Sequence, residues 1–347
     1  VALLIIYIVE VGLFMNKLIY YYKIVRIIFD YYILTDRTKL ILGELFLDIV
    51  GRLLRNKEYV ELSKHIKYKL GKVPMKCELF EFNQEDIPKF DLQNKSITIV
   101  IPTRDHLKDL NICIGSINCK STYQNYDIVV VDNQSDEYTK SWLYNCPYEN
   151  VSVIPFDNEY NYAAIHNEVI PHCKGEYIIM LNNDTEVIEP TWIEQLIGPM
   201  LDNPIIGMTG AKLLFADHTI QHCGVLYSDI SGGFMHVNSH KCDAYPSTNE
   251  YMVYPAVTGA CVAIRKDLYI ELNGMDENLK VAYNDIDLCM KVDEAGYNIL
   301  YTPYAKLYHY ESKTRGYDTT IEKQMIEFKE RTYFFDKWGS FINAHPQ

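Results

Sequence analysis

Residues 175–187, Gly-Glu-Tyr-Ile-Ile-Met-Leu-Asn-Asn-Asp-Thr-Glu-Val, constrain the fold of this chain more than any other stretch. Tyr177 to Leu181 is an unbroken apolar run opened by Gly175, and it ends in a polar tip from Asn182 to Glu186. A short strand that is apolar at every position needs cover on both faces, as a central strand of a parallel sheet has. In open α/β sheets, ligands bind just beyond the carboxyl ends of the strands. Asp184 and its amide neighbours therefore stand either where a bound group would meet them or in a plain turn, with Asp184 capping the next helix. Hard oxygen donors at such a tip suit Mg²⁺ or Mn²⁺ bridging to substrate phosphates.

The sequence before the tip repeats the pattern. Ser96 to Ile101 reads as a strand ended by Pro102, followed by a Thr103-Arg104-Asp105-His106 loop. Thr103 or Asp105 is expected to cap a helix with Leu107, Leu110, Ile114 and Ile117 on its apolar face. Tyr126 to Val131 is a second strand and runs into Asp132, Asn133, Gln134 and Ser135. Val151 to Phe156 is a third, followed by Asp157, Asn158, Asn161 and a helix from Ala163 towards Cys173. Strands alternating with helices predict an α/β fold with a Rossmann-like, mostly parallel sheet and flanking helices. Four polar strand ends in succession on one edge point to a binding cleft rather than to four turns. Neither GxGxxG nor GxxxxGK[ST] occurs, which removes the usual dinucleotide and P-loop readings. Phosphates bound here would need side chains and a metal.

Composition narrows the ligand. A net charge of −13 over 347 residues argues against general nucleic-acid binding. An acidic protein handling a phosphorylated group needs local positive charge, from a divalent ion and a few Lys or Arg. The nine cysteines include no CxxC pair, and their number is odd. They are read as reduced, mostly buried thiols of a cytoplasmic protein.

After a helix from Thr191 to Asp202, strands are expected near Ile206 to Phe215 and Val257 to Arg265. The insertion between them, 216–255, carries His218, His222, His236 and His240 without a consistent ligand spacing, so they are read as loop histidines rather than a zinc site. Asn284 suits a helix N-cap, with Asp287 three residues on as in a capping box. That accounts for Asp287 and leaves Asp285 as a plausible general base. The helix ends at Gly296, and strands follow at Tyr297 to Tyr301 and Ala305 to Glu311. His309 reads either as a packed core histidine or as a metal ligand. Lys313 and Arg315 follow in a loop, where Arg suits bidentate phosphate binding. A last helix, Thr319 to Trp338, is expected to pack on the sheet.

The amino-terminal part is a different kind of sequence. The first residue is Val, so the chain is expected to begin downstream of a true start. Val1 to Val9 and Val11 to Met15 are apolar, short of the roughly 18 residues of a membrane span. Leu18 to Leu34 gathers Lys23, Arg26 and Asp30 on one helical face, which suits either a membrane surface or packing on the domain or a partner. No small-residue cleavage site marks a secretory signal peptide. Leu40 to Leu54 has mixed helical spacing, basic residues cluster after it, and Pro74 and Pro88 mark a linker. The expected division is a helical extension over 1–92 and a domain over 93–340, with halves at 93–215 and 216–317 and a final helix at 318–340.

Taken together, ITIVIPTRD (97–105), IVVVDNQS (128–135), NYAAIHN (161–167), GEYIIMLNNDTEV (175–187), VTGACVAIRKD (257–267), NDIDLC (284–289) and YTPYAKLYHYESKTRG (301–316) resemble the family 2 glycosyltransferases of the GT-A fold. Within them the likeness is to rhamnosyltransferase-like and O-antigen or cell-wall polysaccharide enzymes. Each motif alone is weak, but all of them occur in the family's order over about 97–317. The resemblance implies that Pro102, Thr103, Arg104, Asp132, Asn133, Asn161, Asn182 and Asn183 contact a nucleotide-sugar, and that Lys313 and Arg315 steady its diphosphate. It implies Asp184 and His309 as ligands of Mn²⁺ or Mg²⁺, Asp285 as catalytic base, and Gly259 and Asp287 in an acceptor or structural role. Two positions depart from the pattern: Asn182 replaces the first Asp of the DxD-type motif, and Asn284 stands where many relatives carry Glu or Asp.

The implied reaction is an inverting displacement from a dTDP-rhamnose or UDP-hexose donor to a saccharide or polyprenyl-linked acceptor. The implied place is the cytoplasm, either free or peripheral at the inner face of the cell membrane. A non-catalytic nucleotide-sugar scaffold and a nucleotidyltransferase or phosphohydrolase on a similar sheet are the competing classes.

Overall fold

The computed structural model describes residues 77–228, 232–310 and 321–344. The chain divides into two compact units at Lys76/Cys77, and only the second is described. The readings made for residues 1–76, and for Lys313 and Arg315, lie outside the described residues. Among the described residues no helix is long and apolar enough to cross a membrane.

In chain order the first half runs β1 (Ile97–Thr103), α1 (Leu107–Lys120), β2 (Tyr126–Asp132), α2 (Glu137–Tyr144), β3 (Val151–Pro155), α3 (Tyr162–Val169) and β4 (Tyr177–Leu181). It continues with β5 (Thr185–Val187), α4 (Trp192–Asp202), β6 (Ile206–Leu214), β7 (Ile220–His222), β8 (Val225–Ser228), β9 (Gly233–His236) and β10 (Met252–Val253). The remaining elements are β11 (Cys261–Arg265), α5 (Lys266–Glu271), α6 (Asn284–Glu294), β12 (Asn298–His309) and α7 (Ile321–Ala344).

The main sheet has the order β10-β12-β6-β11-β4-β1-β2-β3, with β5 added to β12 and β7 to β6. The half formed by β4, β1, β2 and β3 is parallel, and β11 joins β4 and β6 antiparallel. The apolar run of β4 has the predicted cause. Side chains alternate across a strand. Ile179 and Leu181 face the core built with Ile114 of α1 and Leu196 of α4. Ile178 and Met180 face the opposite core, with Ile165 of α3 and Leu288 of α6. Gly175 opens the strand because a Cβ there would lie 2.3 Å from the Thr98 backbone nitrogen.

Several expectations change in three dimensions. The strand expected over Val257 to Arg265 is β11 alone, and residues 257–260 form a loop at the sheet edge. The two strands expected at 297–301 and 305–311 are one, β12, with its register broken between Thr302 and Lys306. Pro303 sits in the break, where a residue without an N–H cannot continue the ladder. Neither Thr103 nor Asp105 caps α1, whose N-cap is His106 at φ 52°. The N-cap of α6 is Tyr283 at φ 62°, not Asn284, so Asp287 belongs to no capping box. Helix α7 packs on α6 and on the β8–β9 hairpin through Phe334 and Trp338 rather than on the main sheet.

The cysteine reading is also corrected. Cys77 and Cys242 form a disulfide across 165 residues, with Cα atoms 5.4 Å apart, and the other seven thiols are free. Spacing along the chain carries no sign of this pair, because the fold brings the segment after Cys77 beside the insertion. There Phe80 donates its N–H to Asp243 at 2.8 Å. Asp243 also pairs with Lys212 at 2.5 Å and Lys306 at 2.9 Å, all three side chains being buried.

Candidate functional site

The carboxyl ends of β1 and β4 and the loop after β2 open into a cleft of ≈ 290 Å³, which residues 258–260 and the start of α6 also line. Pro102, Thr103, Arg104 and Asn133 line this cleft. Asn182, Asn183, Asp184 and His309 line it as well, together with Gly259 and Asp285. Residues from seven separate stretches of sequence therefore converge on one space beyond the carboxyl ends of the parallel strands.

Asp184 caps no helix. It sits in the turn from β4 to β5, and β5 pairs antiparallel with the end of β12, with Thr185 opposite His309. This register brings Asp184 Oδ1 to 3.2 Å from His309 Nε2. The far side of the imidazole is fixed by a residue that sequence reasoning missed. Gln221 on β7 places Oε1 2.7 Å from His309 Nδ1 and donates its amide to the His309 carbonyl at 3.3 Å. The amide is thereby oriented both ways, so His309 Nδ1–H donates to Gln221 and Nε2 faces Asp184. The Asn182 side-chain nitrogen lies 3.2 Å from that same Nε2.

Two cis ligands bound at about 2.1 Å to an octahedral ion stand about 3 Å apart, so the Asp184–His309 pair fits a small divalent cation. Among the described residues no group of three or more His, Cys, Asp and Glu side chains gathers around one point. An ion held here would complete its shell with water and substrate oxygens, the habit of Mg²⁺ and Mn²⁺.

Asp285 lies in the first turn of α6, half-buried. Its Oδ2 accepts the Gly259 N–H at 2.9 Å and its Oδ1 the Ile286 N–H at 2.9 Å. The Gly259 carbonyl accepts the Tyr162 hydroxyl at 2.8 Å, and burial pushes that phenol's pKa well up, so it stays a donor. A Cβ at Gly259 would stand 3.2 Å from the Asp285 Cβ and 3.3 Å from the Tyr162 hydroxyl, which accounts for glycine at this close approach.

Other expected residues stand elsewhere. Asp132 ends β2 but is not among the lining residues, and its Oδ1 accepts the Ser135 N–H at 3.0 Å. Asn161 caps α3 through Ala164 and donates to the Glu277 carbonyl at 2.9 Å. Asp287 is buried and held by Lys337 at 2.6 Å and the Trp338 indole at 2.7 Å. His222 is a buried residue of β7 rather than a loop histidine, 3.0 Å from His236. Burial, with His236 and His309 nearby, holds its pKa well below the usual imidazole range, so it stays neutral. Tyr160, Tyr162, Thr258 and Val281 line the cleft and were not singled out from sequence.

A parallel half-sheet continued by antiparallel strands is the architecture of the GT-A fold. The family model for glycosyl transferase family 2 matches residues 98–271, half of the chain, and the chain belongs to that family. It is 36% identical to the uncharacterized protein y4gI of Sinorhizobium fredii (strain NBRC 101917 / NGR234), over 72% of this chain and 28% of that protein. It is 28% identical to the O-antigen biosynthesis protein RfbC of Myxococcus xanthus, over 72% of this chain and 20% of that one. The N-acetylglucosaminyl-diphospho-decaprenol L-rhamnosyltransferase of Mycobacterium tuberculosis (strain CDC 1551 / Oshkosh) is 22% identical, over 62% of this chain and 76% of that one. The chain thus spans less than a third of the length of the first two relatives. Among solved structures, GalNAc-T7 with UDP, GalNAc and Mn²⁺ superposes with a TM-score of 0.52 at 16% identity, over 74% of this chain and 58% of that one.

Proposed function

We propose that this domain transfers a sugar, with inversion, from a nucleoside diphosphate donor to an acceptor hydroxyl in surface polysaccharide synthesis. The donor is dTDP-rhamnose or a UDP-hexose, and the acceptor a saccharide or polyprenyl-linked saccharide. One observation carries the reading: the Asp184–His309 pair and the Asp285 carboxylate line a single cleft. The O-antigen and rhamnosyltransferase relatives support the sugar and acceptor classes.

Pro102, Thr103, Arg104 and Asn133 hold the nucleotide, and Asn183, donating to Thr103 Oγ1 at 2.9 Å, braces that end. Asp184 and His309 hold Mn²⁺ or Mg²⁺. The bound ion supplies Lewis-acid neutralisation of charge on the leaving diphosphate. Asp285 takes the proton of the acceptor hydroxyl while that oxygen bonds to the anomeric carbon and the bond to the diphosphate breaks. The Gly259 N–H keeps the carboxylate aimed into the cleft. The products are a nucleoside diphosphate and a glycoside. Lys313 and Arg315 complete the diphosphate contacts in this reading.

Calorimetric titration of UDP, dTDP and GDP, each with and without Mn²⁺, tests the donor site. One nucleotide is expected to bind tightly, with the metal, and to lose that binding in Asp184→Ala. Failure of all three to bind would reject the donor site, and release of a nucleoside monophosphate from the sugar donor would reject glycosyl transfer.

Gln221 gives a separate test of the metal pair. Gln221→Leu frees the His309 ring to turn or to change tautomer. Loss of such an outer partner costs about 10–100-fold in metal affinity. Mn²⁺ binding followed by electron paramagnetic resonance is expected to weaken by that factor, and an unchanged affinity would remove Gln221 from the site.

A further inference from the structure

The segment that leads into Asp285 owes its shape to a residue about fifty positions away. Glu330 of α7 is 5% exposed. Its Oε1 accepts the N–H of Lys280 at 3.0 Å, and its Oε2 accepts those of Val281 at 3.2 Å and Ala282 at 2.7 Å. Residues 280–282 lie in neither helix nor strand, so their N–H groups need partners from outside regular structure. One carboxylate meets three successive donors, and bonds to a carboxylate acceptor are the strong ones.

The same segment is gripped from its other sides. The Lys280 carbonyl accepts the Tyr162 N–H at 3.0 Å. Tyr283 holds φ at 62°, a conformation that costs free energy for a bulky residue and persists only where the surroundings impose it. Its ring packs on Phe334, one turn along from Glu330, with centroids 5.0 Å apart. Arg331 donates to the Gly232 carbonyl at the β8–β9 turn, and Lys337 and Trp338 hold Asp287. Val281, Asn284 and Asp285, which this segment places, all line the cleft.

Packing alone does not call for this carboxylate. Phe334, Trp338 and Ile342 already bury α7 against Leu279 and Met290. A buried carboxylate carries a desolvation cost that only well-made hydrogen bonds offset. Here those bonds all fall on the three residues that precede Tyr283 and the first turn of α6.

From this geometry we infer that Glu330 is a positioning residue for sugar transfer. It fixes residues 280–283 so that Asp285 and Val281 keep their places at the acceptor end of the cleft. The role rests on the transferase reading and on Asp285 as proton acceptor.

The test uses Glu330→Gln in the full chain, with dTDP-rhamnose and UDP-glucose as probes and water as the acceptor. Glutamine keeps the size but turns one acceptor oxygen into an NH₂ that faces N–H donors. Nucleotide affinity is expected to stay within about twofold. Turnover, read as nucleoside diphosphate release, is expected to fall about tenfold or more, as misplacement of a catalytic group does. Amide exchange at residues 280–282 is expected to accelerate. In an Asp285→Asn background the same substitution is expected to add less than about twofold, because its effect runs through that carboxylate. Glu330→Asp, which keeps the charge on a shorter arm, is expected to be intermediate.

Tyr333→Phe serves as the comparison. It removes the α7 contacts to Asp276 and Asn278 and none to 280–283, and is expected to lower thermal stability without lowering turnover. Unchanged turnover in Glu330→Gln, an equal loss in the Asp285→Asn background, or a loss matched by Tyr333→Phe would each overturn the role while leaving the transferase reading standing. Absence of both nucleotide binding and diphosphate release in the unmodified chain would overturn that reading and the role with it.

Discussion

Asp285→Asn is expected to lower turnover by at least about 100-fold while nucleotide binding is retained. The substitution preserves shape. The asparagine oxygen can still accept the Gly259 N–H, so the loop at 257–260 and the start of α6 should keep their contact, and only the local bond from the Ile286 N–H is given up. What is lost is the capacity to take a proton from the acceptor hydroxyl as its oxygen attacks. General-base assistance contributes roughly 10²- to 10⁴-fold, and a 100-fold loss corresponds to about 2.7 kcal/mol of barrier. The donor is held by Thr103, Asp184 and their neighbours rather than by Asp285 in this reading, so calorimetry with the preferred nucleotide should show no change. Steady-state release of nucleoside diphosphate checks the first half of the expectation and calorimetry the second. Near-normal turnover would move the base away from Asp285. It would not move it to Asp287, whose carboxylate is buried against Lys337 and Trp338.

Asp285 and Asp287 show what the sequence could and could not reveal. Two carboxylates in one helical turn look alike in a string of letters. A capping box favoured Asp287 as structural, and Asp287 is structural, but for another reason. The αL conformation of Tyr283 starts the helix, and α7 takes up the carboxylate. His106 starts α1 the same way, which is why neither Thr103 nor Asp105 caps it. Left-handed caps by residues other than Gly or Asn have no composition signal to read. Strand β4, by contrast, has the predicted limits of Tyr177 and Leu181, because two-sided burial writes itself into every residue of the run.

The cleft was legible at the strand ends for the same reason. Polar residues after apolar runs mark an edge, and the edge of a parallel sheet is where chain reversals leave room. The supports of the cleft were not legible. Gln221 lies in an insertion rich in polar residues, and nothing local marks its contact with His309, 88 positions away. Glu330 lies on a helix whose packing partner was expected to be the sheet. Such contacts depend on how separate elements come together, and so does the pairing of Cys77 with Cys242.

Asp243→Asn is expected to destabilise the described unit by about 3–5 kcal/mol. Asp243, Lys212 and Lys306 are all fully buried, and the one carboxylate serves both ammonium groups. Burial lowers the pKa of Lys212 and the attraction of Asp243 opposes that shift. An amide in place of the carboxylate would leave two cations in the interior with no countercharge between them, the costly case for a buried ion pair. It would also weaken the bond from Phe80, which ties the segment after Cys77 to the insertion. For a unit of this size the loss should lower the midpoint of thermal unfolding by on the order of 10 °C. The comparison should be run without reductant, so that the Cys77–Cys242 link is the same in both proteins. Lys212→Met should cost less, because it leaves Lys306 and Asp243 as a matched pair. If the two substitutions cost the same, Asp243 would matter mainly through its shape and hydrogen bonds, not as the countercharge of the two lysines.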